Sequence, residues 1–237
     1  MIEQQMQQRL SENWQAVQQK VREVAINSGR AEDSVQIIGV SKYVDAETTL
    51  ALVKAGCRQL GESRPQLMWQ KTEELTFDQP VTWHMIGHLQ RNKVRRLLRS
   101  KPMIHSVDSQ RILAAIAEHA SNQGLIVDVL LEVNVSADEA KTGFLPESLE
   151  AVLDSLPAAG VRVKGLMAMA GWGTSSDAAR THFDKTRELR DRLSQSSGQA
   201  LPELSMGMSG DFPEAIRAGA TMVRIGSILF EGLIDQR

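Results

Sequence analysis

Two cations in this sequence stand at the end of or within an apolar run, where an isolated charge needs a reason. Lys42 closes the segment GVSK at 39–42. Alternation along a strand places Gln36, Ile38, Val40 and Lys42 on one face, which carries the ammonium to the end of the row. A lysine so placed is either a nucleophile able to form a Schiff base or a solvated residue opening a loop. Arg224 is embedded in TMVRIGS at 221–227. There Met222, Arg224 and Gly226 share a face, so a permanently charged guanidinium interrupts an apolar run. It requires an acceptor, supplied by a protein carboxylate in a structural ion pair or by a ligand. Its neighbours suit an anion: Gly226 permits close backbone approach, Ser227 offers a hydroxyl, and Ser209-Gly210-Asp211 leads into a helix with Pro213 in its first turn. Asp211 repels a phosphate unless it turns away to cap that helix.

The elements that must position these groups alternate regularly. Short apolar, β-branched runs at 35–42, 58–62, 82–88, 103–107, 127–135, 163–169, 204–208 and 221–228 read as strands. Helical patterns fall between them at 46–55, 92–99, 110–123, 147–156, 178–194 and 213–218. Met6, Leu10, Trp14, Val17, Val21 and Val24 recur at helical spacing ahead of the first strand, which predicts a helix over about 3–28. Asp45, Asp108 and Asp211 stand at N-cap positions, and Gly56 and Gly219 just past helix ends. Eight strands alternating with helices predict an α/β fold, a single (β/α)8 TIM-type barrel over about 35–230 with an extra N-terminal helix. An open doubly wound sheet is the alternative. With no linker or composition break, residues 1–237 read as one domain. In such a barrel the ligand lies at the carboxyl ends of the strands, with phosphate near loops seven and eight.

Composition narrows the partners. The 237 residues carry 27 basic and 29 acidic side chains, a net charge of −2, which provides neither a nucleic-acid footprint nor a polybasic membrane signal. Apolar residues at 42% and charged ones at 24% are those of a folding globular chain. The single cysteine, Cys57, predicts a reducing compartment. The opening MIEQQMQQRL lacks the apolar run of a signal peptide. A cytoplasmic, non-membrane protein is therefore expected, with no nucleic-acid partner. The basic run Arg91, Lys93, Arg95, Arg96, Arg99 and Lys101 is interleaved with Val94, Leu97 and Leu98, which marks an amphipathic helix with a solvated basic face. His84 and His88 share a strand face but have no third partner, so no metal is expected. Asn134-Val135-Ser136 is a glycosylation sequon by chance only, and Trp172 is expected in a loop after the sixth strand.

A lysine, an arginine and a phosphate cradle together match the aldehyde, ring nitrogen and phosphate of pyridoxal 5'-phosphate. Several motifs then resemble the pyridoxal phosphate homeostasis protein family: GVSK at 39–42, WHMIGHLQRNK at 83–93, HSVDS at 105–109, NVSADEAKTG at 134–143, LSMGMSGDFPEAI at 204–216 and GATMVRIGS at 219–227. They run in order through nearly the whole of 35–230. The resemblance implies a barrel related to the N-terminal domain of alanine racemase, with the cofactor held as a Schiff base on Lys42. It implies that Arg224 faces the pyridine nitrogen and that Ser209, Gly226 and Ser227 hold the phosphate, with Ser63, His84 and Met167 completing the contacts. It also implies a vitamin B6 carrier or regulator without an established reaction, acting as a monomer, with pyridoxal-phosphate-dependent apo-enzymes as acceptors. The chain departs from the family after the second strand, where Gly61-Glu62-Ser63-Arg64 stands in place of glycine, glutamate, asparagine and tyrosine, so a serine hydroxyl replaces an asparagine amide.

The alternative is an amino acid racemase of the fold type III class. Arginine cannot take a proton from a pyridinium, and a neutral ring is a weaker electron sink. Two-sided proton transfer also needs a second base opposite the lysine. The only tyrosine, Tyr43, adjoins Lys42 and is expected on the opposite strand face. A cofactor-binding protein is favoured on these grounds.

Overall fold

Strands covered on both faces read as nearly continuous apolar runs, and those runs close here into a ring. The computed structural model describes residues 2–136, 142–171 and 173–233. Its strands are β1 (Gln36–Val40), β2 (Gln59–Glu62), β3 (Thr82–Met85), β4 (Met103–Val107), β5 (Val127–Glu132), β6 (Val161–Met167), β7 (Glu203–Met208) and β8 (Met222–Ile225). They pair in parallel and in sequence order, and β8 closes onto β1 with Ile38 opposite Arg224 and Gly39 opposite Ile225. This is the expected TIM-type barrel, and the open sheet is excluded.

The surrounding helices are α1 (Ile2–Asn27), α2 (Ala46–Lys54), α3 (Pro65–Glu74), α4 (Arg91–Leu97), α5 (Gln110–Ser121), α6 (Leu149–Asp154), α7 (Ser176–Ser197) and α8 (Phe212–Arg217). The stripe of α1 is buried at Leu10, Trp14, Val17, Val21 and Val24. It packs on α2, on α8 and on the 3-10 turn Ser227–Phe230. Asn13 Nδ2 donates to the carbonyls of Leu229 and Glu231, so the extra helix braces the loop that follows β8.

Helix α3 was not among the expected elements. Pro65 sits in its first turn and Met68 and Trp69 are buried, but its polar sequence PQLMWQKTEE carries only a weak apolar stripe. Several expected strands overran the hydrogen-bonded ones: β1 ends at Val40 instead of 42, β3 at Met85 instead of 88, and β5 at Glu132 instead of 135. Apolar residues continue past β3 at Ile86 and past β5 at Val133 and Val135, whereas β1 is followed by Ser41 and Lys42.

Asp45 caps α2, accepting from Thr48 N–H at 2.8 Å. The other two aspartates do not cap. Ser109 holds the N-cap position of α5, and Asp108 bonds His88 instead. Asp211 occupies the N-cap position of α8 without bonding its amides, and accepts from Met208 N–H at 2.6 Å. Gly56 and Gly219 do take positive φ, +114° and +106°. Gly207 has the stricter need: at φ +90° a Cβ there would stand 2.5 Å from Ala215 Cβ. A side chain would push α8 off β7 just where the ladder register shifts between Ser205 and Met208.

The basic face of α4 is not wholly solvated. Arg96 lies 4.3 Å from the Trp69 ring centroid and bonds Glu73 at 3.0 Å, which docks α4 on α3. Cys57 is buried, and burial pushes its thiol up to about 12, so it is inert. Among the described residues, no helix is long and apolar enough to cross a membrane.

Candidate functional site

The carboxyl ends of the strands gather most of the expected residues. Lys42 lies in the turn after β1, so strand alternation does not extend to it. It stands four residues beyond Ile38, the register partner of Arg224 on the adjacent strand. Its Nζ is 4.7 Å from the ring centroid of Tyr43. Tyr43 is exposed on the same turn, not turned away on an opposite strand face.

The residue before Lys42 is tightly held. Ser41 is buried, its N–H donates to Gly61 O at 3.0 Å, and its Oγ donates to Glu62 Oε1 at 2.8 Å. Lys71 of α3 reaches in to donate to Ser41 O at 2.7 Å and to Glu62 Oε1 at 2.5 Å. A buried ion pair thus anchors the turn from behind. Sequence reading missed Lys71, and with it the partner of Glu62, because α3 itself was missed. Ser63 follows β2, and Gly87 passes so close that a Cβ there would meet Ser63 O at 2.3 Å.

Arg224 is buried in β8. Among the described residues it donates to Ser205 O at 2.8 Å, Ser205 Oγ at 2.6 Å and Ala168 O at 3.1 Å, and it forms no ion pair. Burial lowers its pKa to about 10, against the opposing charges of Asp211 and Glu132, so it stays protonated at neutral pH. The structural ion pair entertained from the sequence is therefore not what holds it. Glu132, at the end of β5, accepts from Thr142 Oγ1 at 2.7 Å, and burial raises its pKa.

Loops seven and eight meet where Ser209 Oγ accepts from Gly226 N–H at 3.1 Å. Ser227 is exposed at the start of its 3-10 turn. The Asp211 carboxylate folds back on Met208 N–H, and burial raises its pKa. Met167 is buried at the end of β6, in register with Ser205.

His84 and His88 part company. His88 Nδ1 meets Asp108 Oδ2 at 2.8 Å on the rim. His84 points into the barrel, its Nδ1 2.9 Å from His105 Nε2 and its Nε2 2.8 Å from Gln59 Oε1. His105 Nδ1 in turn lies 2.8 Å from Ser205 Oγ. His84 thus connects to Arg224 through His105 and Ser205, with both ring nitrogens engaged by protein. A polar residue inside an apolar strand was the available signal for His105 and Ser205, the same signal that singled out Arg224.

Burial lowers the pKa of His84 to about 4, and lowers that of His105 well below its ordinary value, with His84 and Arg224 adding to the effect. The unfolded chain therefore binds protons below pH about 6.5 that the folded chain refuses. Stability is expected to be fully present above that pH and to fall as pH drops toward about 4. For His84 alone the loss is on the order of 3 kcal/mol. Urea unfolding at stepped pH checks this, and His84→Gln should flatten the slope.

Residues 7–233 match the family described as "Alanine racemase, N-terminal domain", which defines the class of barrel. The chain is 39% identical over 215 residues to the pyridoxal phosphate homeostasis protein of Aquifex aeolicus, covering 90% of this chain and 94% of that one. The structure of PipY from Synechococcus elongatus with pyridoxal phosphate bound superposes with a TM-score of 0.81 at 32% identity, covering 93% of this chain and 99% of that one. The chain belongs to the pyridoxal phosphate homeostasis protein family. An alanine racemase of Clostridium difficile shares the fold at TM-score 0.73 and 17% identity, and this chain spans 56% of it. The NVSADEAKTG motif is described only in part, since 137–141 lie outside the described residues, as does Trp172.

Proposed function

We propose that this chain binds pyridoxal 5'-phosphate at the barrel mouth, holds it on Lys42, and carries or buffers it in vitamin B6 homeostasis. The observation that carries the reading is Arg224, a buried cation with no carboxylate in contact among the described residues. Three protein oxygens take some of its five N–H groups and leave others for a ligand acceptor. The residues present fit the cofactor: a primary amine at Lys42, a donor-only cation at Arg224, and a hydroxyl and backbone cradle at Ser209, Gly226 and Ser227. The structure of the Synechococcus relative, which has pyridoxal phosphate bound, adds support.

When bound, the cofactor supplies an aldehyde that condenses with a primary amine, releasing water. Lys42 provides that amine, on a turn fixed by Ser41. Arg224 presents an N–H to the ring nitrogen and favours its unprotonated form. Ser63 and Met167 would contact the bound cofactor, and His84 would act on it through His105, Ser205 and Arg224. Racemisation is disfavoured, because Tyr43 is exposed beside Lys42 and offers no base on the opposite side. The working unit in this reading is a single-domain cytoplasmic monomer that passes the cofactor to apo-enzymes.

Borohydride reduction of the cofactor-loaded protein followed by peptide mapping tests this. Wild type should carry a reduced adduct on Lys42, and Lys42→Ala should lose both the adduct and the absorbance of the lysine-bound cofactor. A wild type that forms no adduct in excess pyridoxal phosphate would overturn the proposal.

A further inference from the structure

The polar side chains inside the barrel form one connected line. From Arg224 on β8 it passes to Ser205 on β7, His105 on β4, His84 on β3 and Gln59 at the start of β2. Gln59 opens onto a groove at the amino-end face, lined also by Trp14, Asp33, Gln36 and Arg58. The line therefore crosses the barrel from the candidate cofactor site to the opposite face.

The Arg224 end sets the direction of the bonds. Arginine only donates, so Ser205 Oγ accepts from Arg224 and its single hydrogen is free for His105 Nδ1. A neutral imidazole that accepts at Nδ1 carries its proton on Nε2, so His105 donates to His84 Nδ1, and His84 donates to Gln59 Oε1. All four bonds then point the same way, an arrangement in which each polarises the next. The reverse order requires Gln59 to donate and both imidazoles to carry their protons on Nδ1. Ser205 Oγ would then accept twice, and its own buried hydrogen would have no acceptor among the described residues.

We propose that Ser205, His105, His84 and Gln59 form a positioning relay of aligned hydrogen bonds that orients the Arg224 guanidinium for the cofactor's ring nitrogen and links that site to the amino-end face. This rests on the cofactor reading above, which already holds His84 and His105, and extends it to Ser205 and Gln59. None of the four needs to touch the cofactor. Ser205 is the coupling, since among the described residues it alone bonds both the guanidinium and an imidazole.

Long-range nitrogen NMR on the cofactor-free protein reads the tautomers directly. Both His84 and His105 should be neutral and protonated at Nε2, and protonation of either at Nδ1 would overturn the alignment. Titration with pyridoxal phosphate should then shift the ring nitrogens of both histidines. In Ser205→Ala the His84 response should vanish and cofactor affinity should fall about tenfold, the scale of one hydrogen bond to a charged group. Ser205→Thr, which keeps the hydroxyl, should restore both. A His84 response unchanged in Ser205→Ala refutes the coupling. If wild type binds no pyridoxal phosphate, the cofactor reading fails and the coupling with it, while the tautomers still decide the relay.

Discussion

Lys71→Met is expected to destabilise the fold by about 3–5 kcal/mol, the usual cost of stripping one partner from a buried ion pair. Glu62 is fully buried, and its Oε1 accepts from both Lys71 and Ser41, while Oε2 is buried with no partner among the described residues. The carboxylate is thus already under-satisfied, and without Lys71 a single hydroxyl remains to hold it. For a chain of this length the loss corresponds to a melting temperature lower by roughly 10 °C. The double variant Lys71→Met with Glu62→Leu should recover most of it, because an apolar pair of similar volume removes the stranded charge. Equal melting temperatures for wild type and Lys71→Met would show that the pair contributes nothing. The single variant should also loosen Lys42, since Lys71 and Glu62 both grip Ser41 and that residue leads directly into the Lys42 turn.

Where local chemistry and tertiary packing agreed, the sequence was readable. Eight apolar runs alternating with helical stripes could close only a few ways, and Arg224 announced itself because a guanidinium in such a run violates the pattern. What failed was inference from local rules where the chain bends. Lys42 was reached by extending strand alternation, but β1 ends at Val40 and a turn carries the lysine onward. Asp211 sits at a cap position and Asp108 one residue before one, both with capping chemistry, yet stronger claims came from the Met208 amide and from His88. Helix α3 escaped because much of its surface is polar, and the reason for its buried lysine lies on a strand nine residues earlier in the sequence. The line through His105 escaped for a different reason. Its members come from five strands, and only the closed barrel brings Ser205 to a residue 100 positions away.

Arg224→Gln separates the role of that residue in folding from its role in binding. A buried cation without an anion pays a desolvation penalty, which its three N–H···O bonds offset in part. Glutamine removes the charge together with most of those bonds, so the two changes oppose each other, and stability should stay within about 2 kcal/mol of wild type. Binding has no such cancellation. A donor that remains protonated at neutral pH gives way to a neutral amide, and cofactor affinity should fall about a hundredfold, the upper range for a hydrogen bond from a charged group. The absorbance of bound cofactor should change as well, because the charge proposed to face the ring nitrogen is gone. Fluorescence-monitored unfolding and equilibrium dialysis with pyridoxal phosphate measure the two quantities on one preparation. A variant that unfolds several kcal/mol more easily yet binds as wild type would make Arg224 a structural residue, with its guanidinium serving Ser205 and Ala168 and no ligand.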